Sequence, residues 1–139
     1  MKRVLVDTNV ALDVLLEREP HLAASAAVWD AVEARVVEGY IAAHGVTTIH
    51  YLGQKHLGAR GAKQMVRSLL EVFRVAAVDG NVLQDALHHR GNDFEDAVTA
   101  SAARLADCDA IVTRDPKGQR ASAIPAFAPE AAVVLINAG

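Results

Sequence analysis

Aromatic residues, cysteines and long apolar runs are all scarce in this chain of 139 residues. Aromatic side chains make up only 4% of it, which argues against base stacking as the main way of binding nucleic acid. Cys108 is the single cysteine, so an internal disulfide is excluded and a reducing compartment such as the cytoplasm is expected. No apolar run approaches the roughly 18 residues of a membrane-spanning helix. The opening MKRVLVDTNV also lacks the pattern of a secretory signal, so we expect a soluble protein with no membrane partner.

The length and composition indicate a single globular domain over residues 1–139. Apolar residues make up 52% of the chain and charged residues 22%. The formal net charge of -3 is unfavourable for binding a phosphate backbone, so the distribution of the basic residues matters more than the total. Two basic clusters could each hold phosphates: Arg60, Lys63 and Arg67 at helical spacing, and Arg114, Lys117 and Arg120 in one short loop. The first cluster is more simply explained as a solvated helix face.

Short buried runs alternate with helical patterns along the chain. Strands are predicted at residues 4–6, 40–43, 75–78, 110–112 and 126–127. Helices are predicted after the N-cap residues Thr8 and Asn9, around Trp29, on either side of a break at Gly58 and Gly61, over residues 82–90, from the N-cap Asn92, and over residues 131–136. This alternation predicts an α/β fold with a mostly parallel central sheet that is covered by helices on both faces.

Aspartates follow two of the predicted strands and begin one of the predicted helices. Asp7 comes directly after the first strand, Asp115 follows the strand at 110–112, and Asp93 and Asp96 lie in a first helical turn. Sites in parallel sheets form beyond the carboxyl ends of the strands, so we expect these carboxylates to meet there. Taken singly, each aspartate also has a simpler structural explanation. The helix dipole favours Asp93 and Asp96 in a first turn, Asp7 can cap the next helix, and Asp115 can begin a turn with Pro116. Their joint pattern favours a shared site.

A cluster of carboxylates of this kind indicates metal chemistry. Carboxylates held close together repel one another unless a cation neutralises them. Mg²⁺ and Mn²⁺ prefer such oxygen ligands, and they suit phosphodiester hydrolysis because they activate water and stabilise the leaving oxygen. A nucleophilic Ser, Cys or His is then not required.

Three blocks of the sequence, in this order and spacing, resemble the PIN-domain family over essentially the whole chain. These are VLVDTNVALDVLL, DFEDAVTASAARLADCDAIVTRD and IPAFAPEAAV. The combination of FEDAV with IVTRD is most similar to the bacterial VapC-like toxin ribonucleases of toxin–antitoxin pairs. The resemblance implies a flavodoxin-like three-layer α/β/α sandwich, a Mg²⁺ or Mn²⁺ site and endoribonuclease activity on RNA. It also implies an antitoxin protein as a partner and a homodimer.

The resemblance also implies roles for individual residues. Asp7, Asp96 and Asp115 match the family's metal-binding catalytic aspartates, and Asp93 is either an additional metal ligand or a group that supports the ligands. Small polar residues that orient the carboxylates are implied at Thr8, Asn9 and Thr113. Arg114 and Lys117 are expected to reach the substrate because they lie beside Asp115. This last expectation comes from proximity alone.

The chain departs from the family at His50, where many active members carry a glutamate. His50 could bind Mn²⁺ or a phosphate oxygen, or it could be a packed histidine without a role, since imidazole is a poor Mg²⁺ ligand. The departure favours an alternative function, a catalytically weakened nucleic-acid-binding or protein-interaction module. A receiver domain or a haloacid-dehalogenase-like phosphatase is a more distant alternative. Asp7-Thr8-Asn9 supplies neither the acidic pair of the first nor the Asp-x-Asp of the second.

Overall fold

Strands and helices alternate along the chain in the computed structural model, which describes residues 1–91 and 93–139. The strands in these ranges are β1 (Arg3–Val6), β2 (Glu38–Ala42), β3 (Arg74–Ala76), β4 (Ala110–Val112) and β5 (Ala126–Phe127). The helices are α1 (Thr8–Leu15), α2 (Leu22–Glu33), α3 (Ala43–Val72), α4 (Gly80–Ala86), α5 (Phe94–Leu105) and α6 (Pro129–Ala138). A 3₁₀ turn at Pro116–Gln119 follows β4.

The five strands form one sheet in the order β3-β2-β1-β4-β5, and every neighbouring pair is parallel. β1 lies at the centre, where Leu5 pairs with Tyr40 of β2 and with Ile111 of β4. The predicted α/β class with a mostly parallel sheet is therefore confirmed. The carboxyl ends of β1 and β4 lie side by side, because Val6 is in register with Val112.

Two apolar cores cover the two faces of the sheet. Alternate side chains of β1 point to opposite faces, so Val4 and Val6 belong to one core and Leu5 to the other. The first core contains residues of α1, α2, α3 and α6, with Trp29 packed edge-to-face on Phe73 at a centroid distance of 5.0 Å. The second core contains residues of α4 and α5. The result is a three-layer α/β/α sandwich.

Two helix starts differ from the sequence-based expectation. Thr8 and Asn9 were expected to cap α1, but the N-cap is Asp7, whose carboxylate accepts a hydrogen bond from the Thr8 N–H. Asn92, the expected N-cap of α5, lies outside the described residues. The structure gives Asp93 as the N-cap, with its carboxylate accepting from the Asp96 N–H. Acidic side chains cap both helices because they satisfy free N–H groups at the positive end of the helix dipole.

The boundaries of α3 and α4 also differ from expectation. The predicted separation of two helices by Gly58 and Gly61 is reduced to a kink inside α3 at Gly58, whose φ of 76° a side chain would disfavour. Gly61 stays within the helix. α4 ends at Ala86, earlier than the expected end near Arg90. No helix in the ranges 1–91 and 93–139 is long and apolar enough to cross a membrane.

Candidate functional site

Asp7 stands directly after β1, at the carboxyl edge of the sheet. Its backbone N–H donates to the Val112 carbonyl at 2.8 Å and so continues the pairing with β4. Its carboxylate accepts two hydrogen bonds, from the Thr8 N–H at 2.8 Å and from the Thr113 hydroxyl at 2.9 Å. Both oxygens are therefore fixed in direction, and each retains a lone pair.

Thr113 joins Asp7 to Asp115. The Thr113 side chain is buried, and its hydroxyl oxygen accepts from the Asp115 N–H at 3.1 Å while donating to Asp7. Asp115 caps the 3₁₀ turn, where one of its carboxylate oxygens accepts from the Gly118 N–H at 3.3 Å. One threonine thus sets the relative position of two aspartates that are far apart in the sequence.

Asp96 reaches the same turn from α5. Its carbonyl accepts from the Gln119 side-chain amide at 3.2 Å. A Cβ atom placed on Gly118 would lie 2.8 Å from Asp115 Oδ2 and 3.1 Å from Asp96 Oδ2, so both carboxylates approach the same point of the turn. Asp93 stands one turn earlier and uses one oxygen to cap α5.

The neighbouring charges of the cluster affect the pKa of Asp96. Burial raises the pKa of its carboxyl group from 3.8 to about 6, and the neighbouring charges of Asp93, Asp7 and Asp115 contribute to this rise in that order. Like charges act in this way only over short distances, so the four carboxylates share one electrostatic environment. The structure thus brings Asp7, Asp96 and Asp115 to the same edge of the sheet.

The residues gathered here fit a hard divalent cation by chemistry. Their donors are carboxylate oxygens, and a cation would relieve the repulsion that raises the pKa of Asp96. The side-chain oxygen of Asn9, in the first turn of α1, is buried without a hydrogen-bond partner in the structure. Across residues 1–91 and 93–139, however, no set of three or more His, Cys, Asp or Glu side chains is already arranged as a metal site. The side chains would have to close around an ion.

The other predicted site residues lie in different surroundings. Thr8 borders the start of α3, since a Cβ on Gly45 would lie 2.8 Å from its hydroxyl oxygen. His50 is half-buried within α3. Lys117 is exposed in the 3₁₀ turn that Asp115 caps. Arg114 turns inward, with its Nε 2.9 Å from Asp13 Oδ2.

Asp13 is a feature that sequence reasoning missed. Its side chain is fully buried at 0% exposure, and it accepts from Arg18 Nε and from the Ser25 hydroxyl, both at 3.0 Å. Arg114 forms a third contact by charge, although its Nε–H is not aimed to make a hydrogen bond. The network joins α1, α2 and the segment between Thr113 and Asp115. The available signal was a lone aspartate within the apolar stretch that begins Val10-Ala11-Leu12.

His44 is a second residue with an unassigned place near the carboxyl edge. It lies in the first turn of α3, and its Nε2 is 3.5 Å from the hydroxyl of Thr99, one turn beyond Asp96 on α5. Its Nδ1 is buried without a hydrogen-bond partner in the structure. His44 is thus a histidine of α3 that approaches α5.

Comparisons with known proteins agree with this architecture. Solved structures with the same fold include VapBC2 from Rickettsia felis bound to a promoter DNA fragment, at 13% identity and a TM-score of 0.70 over 91% of this chain and 98% of that one. A toxin–antitoxin complex from Klebsiella pneumoniae matches at 19% identity and a TM-score of 0.67, over 91% and 97% of the two chains. The sarcin-ricin loop cleaving toxin VapC20 from Mycobacterium tuberculosis matches at 17% identity and 0.62, over 78% and 86%. No curated protein sequence matches significantly.

The decisive comparison is at the level of the family. The model of the PIN domain matches residues 3–117, a range that holds β1 to β4 and all four aspartates of the cluster. The three-layer fold and its parallel strand order agree with that match. The chain therefore belongs to the PIN-domain family.

Proposed function

We propose that the chain is a divalent-cation-dependent endoribonuclease that hydrolyses RNA phosphodiester bonds. The observation that carries this proposal is the approach of Asp7, Asp96 and Asp115 to one point of the carboxyl edge, around Thr113 and Gly118. Without a cation such a cluster is an electrostatic cost. Membership of the PIN-domain family supports the same function.

Asp7, Asp96 and Asp115 would hold a Mg²⁺ or Mn²⁺ ion, with Asp93 as a further ligand. When bound, the cation supplies Lewis-acid stabilisation of charge at the phosphate. The chain's own groups set the geometry: Thr8 and Thr113 orient Asp7, and the Gly118 N–H orients Asp115. Thr113, with its hydroxyl between two of the aspartates, is an orienting residue in this scheme, and Asn9, two residues after Asp7, has a buried side-chain oxygen without a hydrogen-bond partner in the structure.

We also propose that this ribonuclease is the toxin of a toxin–antitoxin pair, with an antitoxin protein as its partner and a homodimer as its assembly. The support is the likeness in fold to the Klebsiella pneumoniae toxin–antitoxin complex and to the sarcin-ricin loop cleaving toxin from Mycobacterium tuberculosis. An RNA substrate and a single buried thiol suit a cytoplasmic location.

The test is incubation of the purified protein with labelled RNA in Mg²⁺, Mn²⁺ or EDTA. We expect cleavage with either cation and none in EDTA. Asp7→Asn and Asp96→Asn should each lower the rate on the order of 100-fold or more, because each removes an anionic ligand. The matched control is Asp30→Asn, which removes an exposed carboxylate from α2. Cleavage that persists in EDTA and in both site variants would reject the proposal.

A second function, a PIN-fold module that binds nucleic acid or protein without catalysis, is favoured by two observations. His50 stands where many active family members carry a glutamate, and no set of three metal-binding side chains is preformed in the described part of the chain. The same assay separates the two functions. RNA binding without cleavage in any cation would establish the module.

A further inference from the structure

A basic groove adjoins the acidic cluster on the side of α4 and α5. It has a volume of about 320 Å³, and its walls carry His88, His89, Arg90 and Arg104. Its lining also includes Asp85, which is paired with Arg104 at 2.8 Å, and the small residues Ala100, Ala121 and Ala123. A guanidinium group and imidazole N–H donors in a groove with small side chains suit the binding of a phosphate backbone.

The groove is continuous with the acidic cluster. His89 and Ala121 line the groove, and both also line a smaller cleft that contains Asp93, Asp96 and Gly118. A chain lying in the groove would therefore pass over His89 on its way to the carboxylates. The charge changes sign along this path, from cationic side chains to the acidic cluster.

Hydrogen bonds order the groove wall. The buried Ser101 hydroxyl lies 3.2 Å from His89 Nε2, and the Asp85 carboxylate accepts from Arg104 at 2.8 Å. Hydrogen bonds from Arg104 and Ser101 lower the pKa of Asp85, so that carboxylate stays ionised and keeps Arg104 in place. Arg90 is exposed and forms no ion pair with any other described residue, which leaves its charge available.

We propose that this groove binds the sugar-phosphate backbone of single-stranded RNA next to the bond that is cleaved, with Arg90 and His89 as phosphate contacts. The proposal rests on the proposed ribonuclease function and names the path of its substrate. The volume of the groove suits a nucleotide-sized segment. The rings among the described residues that line it are two imidazoles, so backbone charge contributes more to binding than base stacking does.

The test measures RNA binding apart from cleavage. In an Asp96→Asn background, a fluorescein-labelled single-stranded oligonucleotide is titrated at several salt concentrations and its anisotropy is followed. Arg90→Ala should weaken binding several-fold and reduce the slope of log K against log salt by about 0.7, the value for one phosphate contact on a single strand. Arg90→Lys should recover most of the affinity because it keeps the charge. The matched control is Arg60→Ala, an exposed arginine of α3 that does not line the groove.

Cleavage kinetics give an independent readout in the protein with its aspartates intact. Arg90→Ala and His89→Gln should raise KM and leave kcat nearly unchanged, because groove contacts hold substrate and transition state alike. The proposal that the groove binds RNA would be rejected if Arg90→Ala bound RNA as tightly as the unsubstituted protein. It would also be rejected if Arg60→Ala lost as much RNA affinity as Arg90→Ala. If the protein cleaves RNA but Arg90 has no effect, the ribonuclease function survives alone. If RNA binds through Arg90 but is never cleaved, the groove survives alone.

Discussion

At the scale of single residues, the protonation of Asp96 links the acidic cluster to the stability of the fold. Burial and the neighbouring carboxylates raise the pKa of Asp96 from 3.8 to about 6, so the folded protein holds this proton more tightly than the unfolded chain does. The stability that this carboxyl group contributes is therefore full below about pH 3.8 and is lost as the pH rises through about 6. The site is most costly to fold at neutral pH without a cation.

Asp96→Asn should remove this cost. In EDTA, we expect the free energy of unfolding of the variant to exceed that of the unsubstituted protein by roughly 1 kcal/mol at neutral pH, a value reduced by solvent screening of a half-exposed group. The difference should shrink as the pH falls through the pKa of Asp96. Urea denaturation across this pH range measures it. The same pH dependence in Asp30→Asn, or its absence in Asp96→Asn, would contradict the assignment.

Substitution of Asp13 should lower the stability of the fold, the opposite of the effect at Asp96, because the Asp13 carboxylate is a buried charge that has its partners. Asp13→Ala leaves the Arg18 Nε–H and the Ser25 hydroxyl without their acceptor and the charge of Arg114 without its partner, so it should destabilise the fold by about 3 kcal/mol or more. Chemical denaturation gives the value. Glu38→Ala is the matched control, since the ion pair of Glu38 with Arg3 is exposed and should contribute less than about 1 kcal/mol. Equal losses in the free energy of unfolding of the two variants would show that Asp13 stabilises the fold no more than an exposed ion pair does.

At the scale of elements, the 3₁₀ turn after β4 determines how closely two aspartates approach each other. Gly118 has no side chain at a point that Asp115 Oδ2 and Asp96 Oδ2 both approach, since a Cβ there would lie 2.8 Å from the first oxygen and 3.1 Å from the second. Its small size therefore keeps the space between the carboxylates open for a cation.

Gly118→Ala should push these carboxylates apart and weaken Mn²⁺ binding by roughly 10-fold, with a smaller effect on stability, because the change lies in a surface turn. Isothermal titration calorimetry measures the affinity. Gly80→Ala is the matched control, because a Cβ at this helix start meets nothing within 4 Å. Unchanged Mn²⁺ affinity in Gly118→Ala would mean that the ion binds away from the turn.

The elements also show what local sequence can and cannot predict. The strands β1 and β4 and the helix α5 follow from short apolar runs and helical spacing, and those patterns also direct Asp7, Asp96 and Asp115 to one edge. The partnership of Asp13 with Arg114 has no such signal, because it joins residues that only the folded chain brings together. Because Arg114 is next to Asp115 in the sequence, it is predicted to contact the substrate. Its side chain instead turns toward Asp13 of α1. A break at Gly58 is predictable, but the continuation of α3 through Gly61 is not, because a helix packed on a core tolerates a glycine.

At the scale of the whole molecule, the single parallel sheet couples cation binding to global unfolding. The site draws on β1, β4 and α5, so the unfolded chain has no site, and any cation that binds the native state stabilises all of it. Mn²⁺ at about 100 times its Kd should contribute about 2.7 kcal/mol and raise the Tm on the order of 10 °C. Differential scanning calorimetry with and without EDTA measures the shift. The double variant Asp7→Asn/Asp115→Asn should show none, and an equal shift in that variant would refute binding at this site.

The central position of β1 has a consequence for the order of events during synthesis. β1 leaves the ribosome first, yet its partner β4 and the aspartate beyond it come roughly a hundred residues later in the chain. A nascent chain that ends before β4 can pair β1 with β2 alone, and it has no assembled acidic centre. Synthesis must therefore proceed past Asp115 before the carboxylates on either side of the β1–β4 pair can meet.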